Sequence, residues 1–381
     1  MTDSLSRSLS SLLGLAALIA CAARPAVAAP APPAAPAPGP TSAPAAASSP
    51  LAAPSPAPPP DEDGPITERD RGAAIDALSA ALAEHYVFAD KARMLGRALH
   101  EHLRRGDYAK LDHGLAFARA VTADMIALVH DKHLEVRYVV RAVDPVTAAP
   151  DPDEIAEQRY LNHGVFEVRR MKFNLGYLNF NAFGRGPEAA EKLAAAMRLV
   201  ADTQGLIIDL RDCRGGDTDT VGIAESYFVP AGTHLLDLYT RAGNTTEHVR
   251  AQASLAGPRY AADKPVYVLI AGATVSGCEG FAYALQNQKR ATLIGDRTAG
   301  AAYFGDPRRL TDHFMAFVPI GRPIDPITHG DWEATGVVPA VSTAPGQALA
   351  AAERAGLAWL TAHEASPRRR AAMQRRLAEL P

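Results

Sequence analysis

Val266-Tyr-Val-Leu-Ile-Ala-Gly-Ala-Thr-Val-Ser276-Gly277-Cys278-Glu279 begins as a short, continuous, β-branched apolar run. It then passes through a glycine-bearing turn to the start of a helix. A run of this kind suits a strand buried on both faces of a mainly parallel sheet. The pattern recurs on either side. Upstream, Leu206-Ile-Ile-Asp-Leu-Arg leads through Gly215-Gly216 to a helix predicted from about Thr218 to Phe228. Downstream, a helix from Ser276 to Gln286 is followed by Ala291-Thr-Leu-Ile-Gly. Strand, turn and helix in alternation predict an α/β core. Further upstream, Gly164-Val-Phe-Glu-Val and Leu175-Gly-Tyr-Leu-Asn-Phe read as paired strands. Pro187 to Leu199 reads as a helix with Pro in its first turn.

Before the sheet the period is helical. Ile75, Leu78 and Leu82, then Met94, Leu95, Leu99 and Leu103, then Phe117, Val121, Met125 and Leu128 predict three helices, with Thr67 and Asp70 as a capping signal for the first. They end at Val129-His130-Asp131-Lys132-His133, after which Leu134, Val136, Tyr138 and Val140 alternate as a strand. The expected organisation is a signal peptide at 1–28, a linker at 29–64, a helical domain at 65–140, a connection at 141–163, an α/β core at 164–350, and a C-terminal helix with a basic tail at 351–381.

The N-terminal residues carry a targeting pattern. Arg7 precedes an apolar run from Leu12 to Ala23, too short for a permanent membrane span. Two exit points fit. Ala26-Val27-Ala28 is an A-x-A cleavage site; Leu18-Ile19-Ala20-Cys21 is a lipoprotein-type box that would leave a lipid on Cys21 as a membrane tether. The expected location is the periplasm or the cell envelope. From Ala29 to Pro60, 13 of the 32 residues are Pro and 12 are Ala, with no charge. Such a tract cannot bury a core and reads as a semi-extended spacer.

Charge excludes some partners. The 381 residues carry 39 basic and 42 acidic side chains, with no basic stripe in the folded part, so no nucleic acid is expected. Arg368, Arg369, Arg370, Arg375 and Arg376 read as a solvated terminal helix. For His100/His102 and His130/His133 no nearby Cys or Glu supplies a convincing third ligand at metal-site spacing, so neither metal nor cofactor is expected. Cys213 and Cys278 leave two readings, a disulfide or buried thiols.

Ser276 at a helix start meets unpaired N–H groups and a dipole that favour negative charge, which suits a nucleophile. Ser276-x-x-Glu279 is equally a capping box without chemistry. A serine also needs a base. Spacing alone does not choose among 12 histidines, though His133 sits where the helices hand over to the sheet.

Five segments in order, Asp131-Lys-His133-Leu, Ile207-Ile-Asp-Leu-Arg-Asp-Cys-Arg-Gly215-Gly216, Thr274-Val-Ser276-Gly-Cys-Glu279, Arg290-Ala-Thr-Leu-Ile-Gly-Asp-Arg-Thr-Ala-Gly300 and Pro319 to Pro339 with Trp332-Glu333, resemble the C-terminal-processing (tail-specific) serine protease family. The resemblance is to the branch similar to interphotoreceptor retinoid-binding protein and the tricorn core, and it implies a crotonase/ClpP-like α/β core behind a helical bundle. Processing proteases with a Ser/Lys dyad have a lysine 25 residues after the serine, where this chain has Ala301. The tricorn-like set falls instead on Ser276, His133 and Glu333, and the resemblance implies an oxyanion hole from Gly277 and the Gly215-Gly216 turn. It implies an exported serine peptidase acting on a peptide or protein. The alternative is a non-catalytic binder of hydrophobic ligands on the same fold. Lys132 stands where the tricorn branch has a serine and is expected to point to solvent; Ala334 and Ala340 stand where relatives often have Gly and Asp. The 31 residues between His133 and Val165 are too few for an inserted PDZ domain.

Overall fold

The structure is a computed structural model describing residues 62–141 and 152–380; the expected signal peptide, Cys21 and the Pro/Ala tract lie outside them. Helix α1 (Glu68–His85) starts on the expected box: the Asp70 N–H donates to Thr67 Oγ1 at 3.2 Å and the Thr67 N–H to Asp70 Oδ2 at 2.8 Å. Helices α2 (Ala89–Arg105) and α3 (Gly114–Val129) follow the predicted periods, burying Leu95, Leu99, Phe117, Val121 and Met125 completely or nearly so. Strand β1 (Glu135–Tyr138) follows. Helix α4 (Pro152–Tyr160) occupies part of the stretch expected as a connection. It has no apolar stripe, so periodicity could not reveal it.

The predicted core elements are all present: β2 (Val165–Arg170), β3 (Leu175–Phe180), α5 (Pro187–Val200), β4 (Gly205–Asp209) and α6 (Thr218–Ser226). Strands β5 (His234–Thr240) and β6 (Thr245–Arg250) then precede β7 (Val266–Ile270), α7 (Gly277–Asn287) and β8 (Thr292–Gly295). The chain continues through β9 (Phe304–Arg309), β10 (Phe314–Ile324), β11 (Val341–Ser342), α8 (Ala348–His363) and α9 (Pro367–Glu379).

One sheet has the order β11-β8-β7-β4-β3-β2 and is parallel from β11 to β3, with β2 antiparallel at its edge. Its central strands are covered on both sides. Ile207, Leu269 and Ile294 pack against Ala348 and Ala352 of α8, while Leu178, Ile208 and Val268 face the cluster that holds Leu193, Met197 and Phe281. Residues of α1–α3 and Leu134 belong to that second cluster, so the helical segment and the sheet share one apolar core.

A second, antiparallel sheet, β1-β10-β5-β6 with β9 on β10, was not anticipated. Of its strands only β1 is marked by alternation in the sequence; β6, Thr-Thr-Glu-His-Val-Arg, and β9, Phe-Gly-Asp-Pro-Arg-Arg, are polar, and the apolar run of β10 is broken by Pro319, Gly321 and Pro323. The basic C-terminal segment also differs from expectation. Met373 and Leu380 are buried with Leu175, Leu357 and Leu360, and Arg369 and Arg376 pair with Glu364 and Glu353 at 2.8 and 2.9 Å. No helix among the described residues is long and apolar enough to cross a membrane.

Candidate active site

The carboxyl ends of β4 and β7 lie side by side, the place where open parallel sheets bind ligands. Two bonds tie their outgoing turns together. Buried Thr274 donates its hydroxyl to the Leu210 carbonyl at 2.7 Å, and the Val275 N–H donates to the Cys213 carbonyl at 3.1 Å. Ser276 follows as the N-cap of α7, with φ 57° and ψ −126°. A non-glycine residue there costs about 1–3 kcal/mol and persists only where its surroundings hold it. Glu279 does much of the holding. Fully buried, it accepts from the Ser276 and Ala301 N–H groups at Oε2 (2.8 and 2.9 Å), and from Thr298 Oγ1 and the Gly300 N–H at Oε1 (2.5 and 2.7 Å). The sequence showed this residue only as a cap.

The Gly215-Gly216 turn lies against Ser276. A Cβ on Gly215 would come within 2.9 Å of Ser276 Cβ, and one on Gly216, where φ is 143°, within 2.1 Å of the Phe183 carbonyl. Side chains are therefore excluded from both positions. The two glycines differ in what their amides do. The Gly215 N–H donates to Cys278 Sγ at 3.0 Å, whereas the N–H groups of Gly216 and Gly277 meet no backbone acceptor among the described residues. Gly277 and Gly216 are in contact, since a Cβ on Gly277 would sit 3.4 Å from the Gly216 nitrogen. The free donors beside Ser276 are thus Gly216 and Gly277, and Gly215 is excluded from that pair by its sulfur contact. Of the two readings for the cysteines, the disulfide is the one present: Cys213 and Cys278 are joined, linking the glycine turn to the nucleophile helix.

His133 enters from the other side. Helix α3 ends at His130 with φ 58°, which turns the chain so that Asp131 is fully buried and His133 faces the cavity. Asp131 accepts the His133 N–H at 2.9 Å and the Tyr86 hydroxyl at 3.0 Å. Neither Asp131 nor Tyr86 was assigned a role from sequence, because their contact spans 45 residues and leaves no local pattern. Glu333 arrives on the late loop, held by the Ala302 and Tyr303 N–H groups at 2.6 and 3.3 Å on Oε2. Its Oε1 and His133 Nδ1 are buried with no hydrogen-bond partner. Ligand atoms of Asp131, His133 and Glu333 lie within 4.8 Å of one another.

Burial sets the charge states. It lowers the imidazole of His133 to about 4 and raises the carboxyl of Glu333 to about 7 and that of Asp131 to about 6. His133 is therefore neutral at pH 7, as a general base must be. Lys132 is exposed but not idle, for its ammonium donates to the Ala299 carbonyl. Ser276, His133, Gly216 and Gly277 line one cavity of about 540 Å³, together with Tyr303 and Trp332.

Among the described residues, two groups of three have donor atoms close enough to hold a metal: Asp131, His133 and Glu333, and, on β5 and β6, His234, Asp237 and His248. The second was missed because His248 joins His234 and Asp237 only through strand pairing, Asp237 opposite His248.

Residues 174–343 match the sequence profile of Peptidase family S41, and residues 67–168 match that of the N-terminal domain of Peptidase_S41 in eukaryotic IRBP. The chain is 26% identical over 206 residues to "Carboxyl-terminal-processing peptidase 1, chloroplastic" of Arabidopsis thaliana, covering 51% of this chain and 39% of that protein. It is 27% identical over 172 residues to the "Carboxyl-terminal-processing protease" of Synechocystis sp., covering 44% of this chain and 37% of that protein. The chain thus matches less than half the length of either relative. Among solved structures, a lipoprotein from Streptococcus agalactiae shares the fold, with a TM-score of 0.52 at 14% identity over 79% of this chain and 98% of that one.

Proposed function

Because this chain belongs to peptidase family S41, we propose that it is a serine peptidase whose nucleophile is Ser276, whose general base is His133 and whose orienting acid is Glu333. The supporting observation is a pair of orphaned buried atoms, His133 Nδ1 and Glu333 Oε1, in residues whose ligand atoms approach within 4.8 Å, beside a cavity that Ser276 also lines. A small closure on substrate binding would join them; catalytic hydrogen bonds are often long before substrate arrives.

In this reading Ser276 Oγ attacks a peptide carbonyl while His133 Nε2 takes its proton. The C–N bond then breaks as the same proton passes to the leaving amine, and water hydrolyses the acyl-enzyme by the reverse sequence. Glu333 stabilises the imidazolium through Nδ1. The developing oxyanion is received by the N–H groups of Gly216 and Gly277, and losing one such donor typically costs about a hundred- to thousandfold in rate. The apolar run Leu12–Ala23 with Arg7 supports export, and intact-mass analysis of the mature protein reads whether Cys21 carries lipid.

Cleavage of a peptide library, read by mass spectrometry, tests the activity. Wild-type protein should produce cuts that Ser276→Ala abolishes. A wild-type protein that cuts nothing, yet binds apolar ligands in the cavity, would instead be a carrier on the same fold.

A further inference from the structure

Helix α6 carries an acid on its buried face. Glu225 is 2% exposed, no described residue donates a hydrogen bond to its carboxyl, and its side chain lines the cavity that holds Ser276 and His133. Its distance from the reacting centre follows from the helix. Val221 touches the Gly277 position, with 3.1 Å from its Cγ2 to a Cβ placed there. Glu225 is four residues on, about one turn or about 6 Å further along the same face.

The walls between are apolar. Leu236 and Leu238 of β5, Val249 of β6 and Pro323 of β10 surround the passage, and Gly222 keeps it open, since a Cβ there would come within 3.3 Å of Val249. The charged group acting on Glu225 is a second buried acid, Asp325. Its Oδ1 accepts the Ile327 and Thr328 N–H groups at 3.0 and 2.7 Å, and its Oδ2 has no partner. Four cations line the cavity: Lys132 donates to the Ala299 carbonyl, Arg137 pairs with Glu135 and Arg185 with Asp217, and neither these nor the fourth, Arg214, makes a hydrogen bond or ion pair with Glu225 among the described residues.

Two buried carboxyls without a cation are costly to keep, and a cost retained beside a reacting centre points to a ligand that supplies the missing charge. We propose that Glu225 is the floor of a specificity pocket for lysine or arginine at the residue whose carbonyl Ser276 attacks. This rests on the peptidase reading above. The long aliphatic stem of either side chain would lie along Leu236, Leu238 and Val249 while its cationic head reaches Glu225. Burial, with Asp325 adding to it, holds the empty pocket's Glu225 carboxyl up at about 8. An arriving ammonium or guanidinium favours the carboxylate, and the proton leaves to solvent.

The test compares fluorogenic peptides that differ only in lysine or norleucine at the cleaved residue, whose side chains share a four-carbon stem but differ in the terminal ammonium. Wild-type protein should favour lysine in kcat/KM by at least about tenfold, and Glu225→Gln should lower that ratio at least about tenfold. Glu225→Met, apolar and similar in length, should do the same and serves if the glutamine variant folds poorly. Benzamidine binding to Ser276→Ala protein, measured by calorimetry, supplies a readout without turnover and should weaken at least about tenfold when Glu225→Gln is added. A wild-type lysine/norleucine ratio near one, or Glu225-independent benzamidine binding, overturns the pocket while leaving the peptidase intact. Glu225-dependent benzamidine binding without any peptide hydrolysis upholds the pocket and removes the peptidase reading instead.

Discussion

The Ser276 N–H donates to Glu279 Oε2 at 2.8 Å, and the same oxygen takes the Ala301 N–H at 2.9 Å. One buried carboxylate therefore fixes both the nucleophile and the start of the loop whose next two amides, Ala302 and Tyr303, hold Glu333. Glutamine at position 279 would aim an amide N–H₂ at backbone donors. Glu279→Gln is expected to destabilise the fold by about 2 kcal/mol or more in urea denaturation, since each hydrogen bond to a charged group contributes about 1.5–3 kcal/mol. It should lower kcat as well, because both ends of the catalytic set lose their anchor.

Strain at Ser276 gives a second expectation. Its φ of 57° suits glycine and penalises any side chain. Ser276→Gly and Ser276→Ala should both be inactive, yet the glycine variant should be the more stable by about 1 kcal/mol. Chemical denaturation of the two variants side by side checks this.

Protonation of Glu333 should make activity and stability run in opposite directions with pH. Stabilisation of the imidazolium needs the carboxylate, so kcat/KM should rise as pH passes through about 7. His133, lowered to about 4, is already neutral there. The folded-state pKa of Glu333 lies above its ordinary 4.5, so its contribution to stability is present below that value and is lost as pH rises through about 7. Glu333→Gln should remove the activity limb, with a loss of about a hundredfold or more, and should flatten the stability decline between pH 4.5 and 7.

The disulfide joins the segments on either side of the free amides, two residues before Gly215 and two after Ser276. Replacing both cysteines with alanine should lower stability by about 2–4 kcal/mol, as loss of a cross-link closing a loop of this size does. A larger fall in kcat than rise in KM would mark the loosened Gly216 and Gly277 donors.

What the sequence made legible follows from where the information is local. Leu206–Leu210, apolar but for Asp209, and Val266–Ile270 are short β-branched runs, and α1–α3 repeat at helical spacing, so the parallel sheet and the bundle could be read directly. Strands β6 and β9 could not, because they are polar without alternation, nor could β5 and β10, whose apolar runs are broken by Asp237 and by Pro319 and Pro323; β10 is set by pairing with a segment distant in sequence, Ala316 opposite Val136 of β1. The same division runs through the candidate site. Ser276 stands out at a strand-to-helix turn, and His133 and Glu333 emerge from ordered motifs. Tyr86 and Glu225 do not, and Asp131, though it stands in the motif of His133, shows no role there, since a polar residue within an otherwise ordinary helix or turn announces nothing until the fold buries it. Gly215 and Gly216 were indistinguishable as letters, and only the contact of the former with Cys278 separates them.

Covalent labelling by a fluorophosphonate tests the central assignment most directly, because it needs neither a known substrate nor a known cleavage site. Wild-type protein should acquire one adduct, mapped by peptide mass spectrometry to Ser276, and His133→Ala should slow its formation by at least about a hundredfold. Wild-type protein that stays unmodified, or a His133→Ala variant that reacts as fast, would contradict the account.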